Sequence, residues 1–133
     1  MKKITLATLE RTYRNNGQHA EQVARFTLLD EIAKADNRPH AEATDVFDIQ
    51  LKSARATVCK GTDLESYIYE DAATRFAYIL ADFSAMYVMS RSEWLEFCRE
   101  FSTETRESTK NGSAPKLRLK HESKAMREWL ERA

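Results

Sequence analysis

The stretch DVFDIQLKSARATVCKG, residues 45–61, decides the fold. At its centre Ile49 and Leu51 alternate with Asp48, Gln50 and Lys52, the period of two that gives a β-strand one apolar and one polar face. After Lys52 the alternation softens into small residues that continue the strand or turn it. Upstream, the spacing predicts helix. ITLATLERTYR at 4–14 carries Ile4, Leu6, Leu9 and Tyr13 at three-to-four spacing, and the turn-forming NNG at 15–17 interrupts it. From Gln18 to about Ala35 a second helix buries Ala20, Val23, Ala24, Leu28 and Ile32, with Glu21 at the edge of the stripe. DNRPH at 36–40 is a loop.

Downstream, GTDLESYIYEDAATR at 61–75 opens with a Gly and a capping Thr or Asp, so a helix is expected there. FAYILA at 76–81 and AMYVMS at 85–90 read as strands joined by a turn at DFS, a hairpin. SRSEWLEFCREFSTE at 90–104 is the clearest amphipathic helix, capped by Ser90 or Ser92, with Trp94, Leu95, Phe97, Cys98 and Phe101 inward. TRESTKNGSAP at 105–115 reads as a polar loop, KLRLK at 116–120 as a short strand, and SKAMREWLER at 123–132 as a closing helix. The expected order is ααβ(β)αββαβα. It implies an α/β (α+β) fold with a mixed central β-sheet flanked by helices.

The 133 residues, 42% of them hydrophobic, suffice for one core, so residues 1–133 are expected to form a single domain. Lys plus Arg and Asp plus Glu number 21 each, so no global basic field announces a nucleic-acid partner, and any such surface is local. Two cysteines, Cys59 and Cys98, are too few for a disulfide scaffold, and the start turns polar before it forms a signal-peptide core. A cytoplasmic protein is therefore expected. No apolar run approaches the roughly 20 residues that span a bilayer, so no membrane role is expected.

Residues i and i+2 on a strand share a face, so Gln50 offers a carbonyl oxygen and Lys52 an ammonium to one spot. Phosphodiester hydrolysis needs such a set: hard oxygen ligands for a divalent cation and a fixed cation near the developing negative charge. The carboxylate comes from Asp45, or from Asp48, which shares the face of Gln50 and Lys52. On spacing alone this face also reads as an ordinary solvated one.

TD at 44–45 followed by QLKS at 50–53, with YRNNGQHAE and its Arg14, Gly17 and Glu21 upstream, resembles the signature of the PD-(D/E)xK nuclease superfamily, in its Holliday-junction-resolvase-like, QxK form. The resemblance covers roughly residues 14–90 and implies a restriction-endonuclease-like core. It also implies Glu21, Asp45 and Gln50 as ligands of Mg²⁺ or Mn²⁺, Lys52 as the catalytic cation, and DNA as the substrate. Thr44 stands where the name-giving pattern has Pro, and Gln50 where it has an acid, which removes one formal charge from the metal site.

A local basic surface lies near the end of the chain. Lys110, Lys116, Arg118, Lys120, Lys124 and Arg127 face a single acid, Glu122, in that interval. With Ser53 and Arg55 beyond Lys52, the residues Lys110, Lys116, Arg118 and Lys120 form a candidate track for phosphates. The same lysines also serve to protect an edge strand. Three functions follow: a metal-dependent DNA endonuclease, a catalytically weak nuclease-like domain that binds nucleic acid or protein, and a mobile-element regulatory protein using the fold as a scaffold. A chain of this length carries no separate specificity domain, so a homodimer, a partner protein or a structural feature of the DNA must supply specificity.

Overall fold

The computed structural model describes residues 1–5, 49–82 and 84–132. The helix expected from Gln18 to Ala35, and with it Glu21, lies outside them, as do Asp45 and Asp48. Within them run β1 (Lys2–Thr5), β2 (Ile49–Ser53), β3 (Thr57–Lys60), α1 (Leu64–Glu70), β4 (Arg75–Ile79), β5 (Ala85–Ser90), α2 (Arg91–Phe101), β6 (Ser102–Thr109), β7 (Gly112–Leu119) and α3 (Lys124–Arg132).

Two sheets result. One is four-stranded and mixed, in the order β1-β5-β4-β2, with β2 parallel to β4 and the other pairs antiparallel. The other is antiparallel, in the order β3-β7-β6. The mixed α and β content and the mixed sheet agree with the sequence reading; the second sheet was not anticipated.

The opening stretch is the hinge between the sheets. β2 ends at Ser53, Ala56 N–H donates to the Ser53 carbonyl at 3.1 Å, and Arg55 takes a positive φ of 68°. That turn swings the chain out of the mixed sheet, so β3 pairs with β7 rather than beside β2. The small residues after Lys52 therefore mark a corner.

β4 and β5 are buried on both faces, which is why FAYILA and AMYVMS read as nearly continuous apolar runs instead of alternating ones. One face carries Phe76, Tyr78, Leu80, Ala85, Tyr87 and Met89 into the main core, against Trp94, Phe97 and Cys98 of α2 and Met126 and Leu130 of α3. The core is strongly aromatic. Phe76 stacks on Trp94 at 5.3 Å between centroids, and Phe97 meets the rings of Tyr78, Trp94, Phe101 and Trp129 at 5.3–5.5 Å.

The helix ends follow capping chemistry. Of the two serines offered by the sequence, Ser90 caps α2: its Oγ accepts from Glu93 N–H at 3.2 Å, and Glu93 Oε1 accepts from Ser90 N–H at 2.9 Å. Asp63 caps α1 by accepting from Ser66 N–H. The α3 linker is pinned by Glu122, whose Oε1 accepts from the buried Tyr78 hydroxyl at 2.8 Å and from Ala81 N–H at 3.0 Å.

Two expectations need correction. Ile4 belongs to β1, paired through Ile4↔Met86, and not to the start of a helix. Residues 102–115, expected as the end of a helix followed by a polar loop, instead form β6 and the first half of β7. The helix stops at Phe101, and Thr-rich β6 pairs along its whole length with β7, from Ser102↔Leu119 to Thr109↔Gly112.

Candidate functional site

Parallel pairing places Gln50 opposite Phe76 and Lys52 opposite Tyr78, so both polar side chains share the sheet face that looks toward the helices. They lie at the margin of that face, half-buried beyond the aromatic core. Lys52 Nζ donates to the Thr57 carbonyl at 3.2 Å, bridging the corner between the two sheets. It is also felt by Cys98: burial pushes that thiol well above its ordinary value, while the Lys52 ammonium pulls the other way.

Gln50 meets an acid that the sequence reading passed over. Its Nε2 donates to both carboxylate oxygens of Asp71, at 3.3 and 3.2 Å. Asp71 ends α1 and is itself held: Ala73 N–H donates to Oδ1 at 2.8 Å, and Arg91, the first residue of α2, donates from Nη2 to the Asp71 carbonyl at 2.7 Å and from Nε to the Ala73 carbonyl at 3.3 Å. The order of these bonds fixes the Gln50 amide. With Nε2 turned to Asp71, Oε1 is the atom that faces any cation.

The Gln50 amide oxygen is a hard donor that suits a divalent ion, whereas the Asp71 carboxylate is engaged by Gln50 Nε2 and Ala73 N–H. Among the described residues no group of three His, Cys, Asp or Glu side chains converges to hold a metal. The structure brings Gln50 and Lys52 together on β2 and adds Asp71.

The basic candidates divide into those that meet and those that do not. On β7, Lys116 and Arg118 share a face with Thr105 and Thr103 of β6 and with Lys60 and Thr57 of β3. Arg118 Nε donates to the Arg55 carbonyl at 3.0 Å, so Arg55, Arg118, Lys116 and the previously unremarked Lys60 form one neighbourhood. Lys116 is partly committed: it lies 3.3 Å from Glu107 and its side chain is only 16% exposed. Lys120 lies just past the end of β7, exposed, its N–H bonded to the Phe101 carbonyl. Lys110 occupies the turn at the hairpin tip, six residues from Lys116 and so roughly 20 Å along the ribbon. Ser53 closes β2 on the far side of the corner.

Comparisons of the chain with models of known protein families, with curated proteins and with solved structures return no match.

Proposed function

We propose that the chain is a nuclease-like protein that hydrolyses DNA phosphodiesters with the help of Mg²⁺ or Mn²⁺. The observation that carries this reading is the placement of Gln50 and Lys52 on one face of β2, with the Asp71 carboxylate against the Gln50 amide. In this reading Glu21, Asp45 (or Asp48) and Gln50 hold the ion, whose charge neutralises phosphate oxygens and acidifies water. Lys52 holds a positive charge beside the scissile phosphate. The Thr57 carbonyl keeps that ammonium at the corner, and Asp71 keeps the Gln50 oxygen facing outward. The purified protein, given linear or branched DNA with either metal, should cut it, and Lys52→Ala should abolish cutting. Activity surviving that change intact sinks the proposal.

A second reading, nucleic-acid binding without cleavage, is favoured by a different observation: the basic residues Lys60 and Arg118 lie on the second sheet, with Arg55 at the corner that leads to it from β2. Each phosphate contact contributes about 0.9 to the slope of log affinity against log salt, so Lys60→Glu with Arg118→Glu should flatten that slope by about 1.8. DNA bound with this salt dependence but left uncut under either metal selects the second reading.

A further inference from the structure

We propose that the chain pairs with a second copy of itself along β6, joining the two three-stranded sheets into one of six strands about a two-fold axis through Thr105. Among the described residues, β6 has a single strand neighbour, β7, and so presents an eight-residue edge. The direction of its free backbone groups follows from the ladder. Lys120 N–H donates to the Phe101 carbonyl at 2.8 Å, one step beyond the Ser102↔Leu119 pair. Antiparallel ladders alternate, so Thr103, Thr105 and Glu107 spend their N–H and C=O groups on β7. Those of Ser102, Glu104, Arg106 and Ser108 point outward.

Charge chooses a second copy as the occupant. With Thr105 opposite Thr105 of the second copy, Glu104 falls opposite Arg106 of the second copy, and the symmetry makes that pair twice. Both pairs occupy positions whose outward N–H and C=O groups exchange hydrogen bonds. The strand is thus complementary to itself in one register.

The geometry has a consequence for the surface. An axis perpendicular to the joined sheet leaves the same face outward in both copies, so Lys60, Lys116 and Arg118 of each lie on one face, with the two Glu107 carboxylates on the central strands between them. Five strand spacings separate the two β3 strands, about 24 Å. The pairing stands independently of whether the protein cuts DNA.

Light scattering on a sizing column tests it. At about 100 µM, in the micromolar range where small interfaces associate, the wild-type mass should be twice the 15.4 kDa of the chain. Glu104→Arg alone sets Arg opposite Arg, and Arg106→Glu alone sets Glu opposite Glu, so each should weaken association at least about tenfold. Both sites are exposed, and unchanged circular dichroism shows that each variant folds. An equimolar mixture of the two single variants restores both opposite-charge pairs and should return the dimer mass, as should the double variant alone. A wild-type chain that stays monomeric, or single variants that dimerise as well as wild type, overturns the proposal.

Discussion

Exchanging the groups at positions 50 and 71 tests whether their bond fixes the site. Gln50→Glu replaces the Nε2 that lies 3.2 Å from Asp71 Oδ2 with a second carboxylate oxygen. At an effective dielectric of 20, two unit charges at that distance repel by about 5 kcal/mol. The pair is half-exposed, so solvent and side-chain rotation reduce this to about 1–2 kcal/mol. Loss of the bond to a charged acceptor adds about 1.5 kcal/mol, which gives a total near 3 kcal/mol. Asp71→Asn alone keeps an oxygen for Ala73 N–H and should cost about 1 kcal/mol. The double variant restores an amide donating to a carboxylate, with the roles exchanged, and should return to within about 0.5 kcal/mol of wild type. Urea unfolding followed by circular dichroism reads the cycle, with an expected coupling of about 3.5–4 kcal/mol. If Gln50→Glu also completes a cation site, Mg²⁺ at about ten times its dissociation constant recovers about 1.4 kcal/mol in that variant. Additive single effects would falsify the bond as the link between β2 and α1.

Glu122→Ala should cost about 2–4 kcal/mol, because the fully buried Tyr78 hydroxyl loses its acceptor; in a Tyr78→Phe background, which carries no such hydroxyl, the same change should cost at least about 1 kcal/mol less, read by thermal melting. Stability should also fall in alkali. Burial raises the Cys98 thiol and the Tyr78 phenol above their ordinary values of 9.0 and 10.0, the latter with help from Glu122. The unfolded chain therefore releases these protons first: the contribution is complete below about pH 9 and is lost as pH rises toward the folded values. Above about pH 11 the unfolding free energy from urea titrations should fall with a slope approaching about 2.7 kcal/mol per pH unit, about 1.36 for each group. A flat profile to pH 11 contradicts the burial of both groups.

The sequence showed the elements that bury an apolar stripe or a continuous apolar run. Trp94, Phe97, Cys98 and Phe101 at helical spacing announced α2 and its start, with Ser90 one of two serines offered as its cap, but carried it three residues past its end at Phe101. The paired strands at 75–90 announced themselves by hydrophobicity alone. β6 did not, because beyond Ser102 neither of its faces reaches the core, so no period of two appears in its apolar residues. Its signal was β-propensity, in Thr103, Thr105 and Thr109. Ile4 was assigned to a helix because a short apolar run suits either period, and what settles it as strand is the long-range pairing with Met86.

The candidate site divides along the same line. Gln50 and Lys52 were legible because i and i+2 share a strand face whatever the strand pairs with. Asp71 was not, because it lies 21 positions from Gln50 and reaches it only through the docking of α1 and the grip of Arg91 on the chain at 71–73. The corner at Ser53–Ala56 explains why two polar side chains can point toward the core side at all. In mid-sheet, an ammonium on that face would meet Trp94 and Phe97. At the corner it meets the Thr57 carbonyl, which the departing β3 presents, and the amide meets a carboxylate at a helix end. The polar pair is therefore tied to the turn that follows it, and Arg55, held at φ 68°, is the residue whose backbone makes that turn. A substitution there that disfavours a positive φ, such as Arg55→Val, should disturb Lys52 before it disturbs the core.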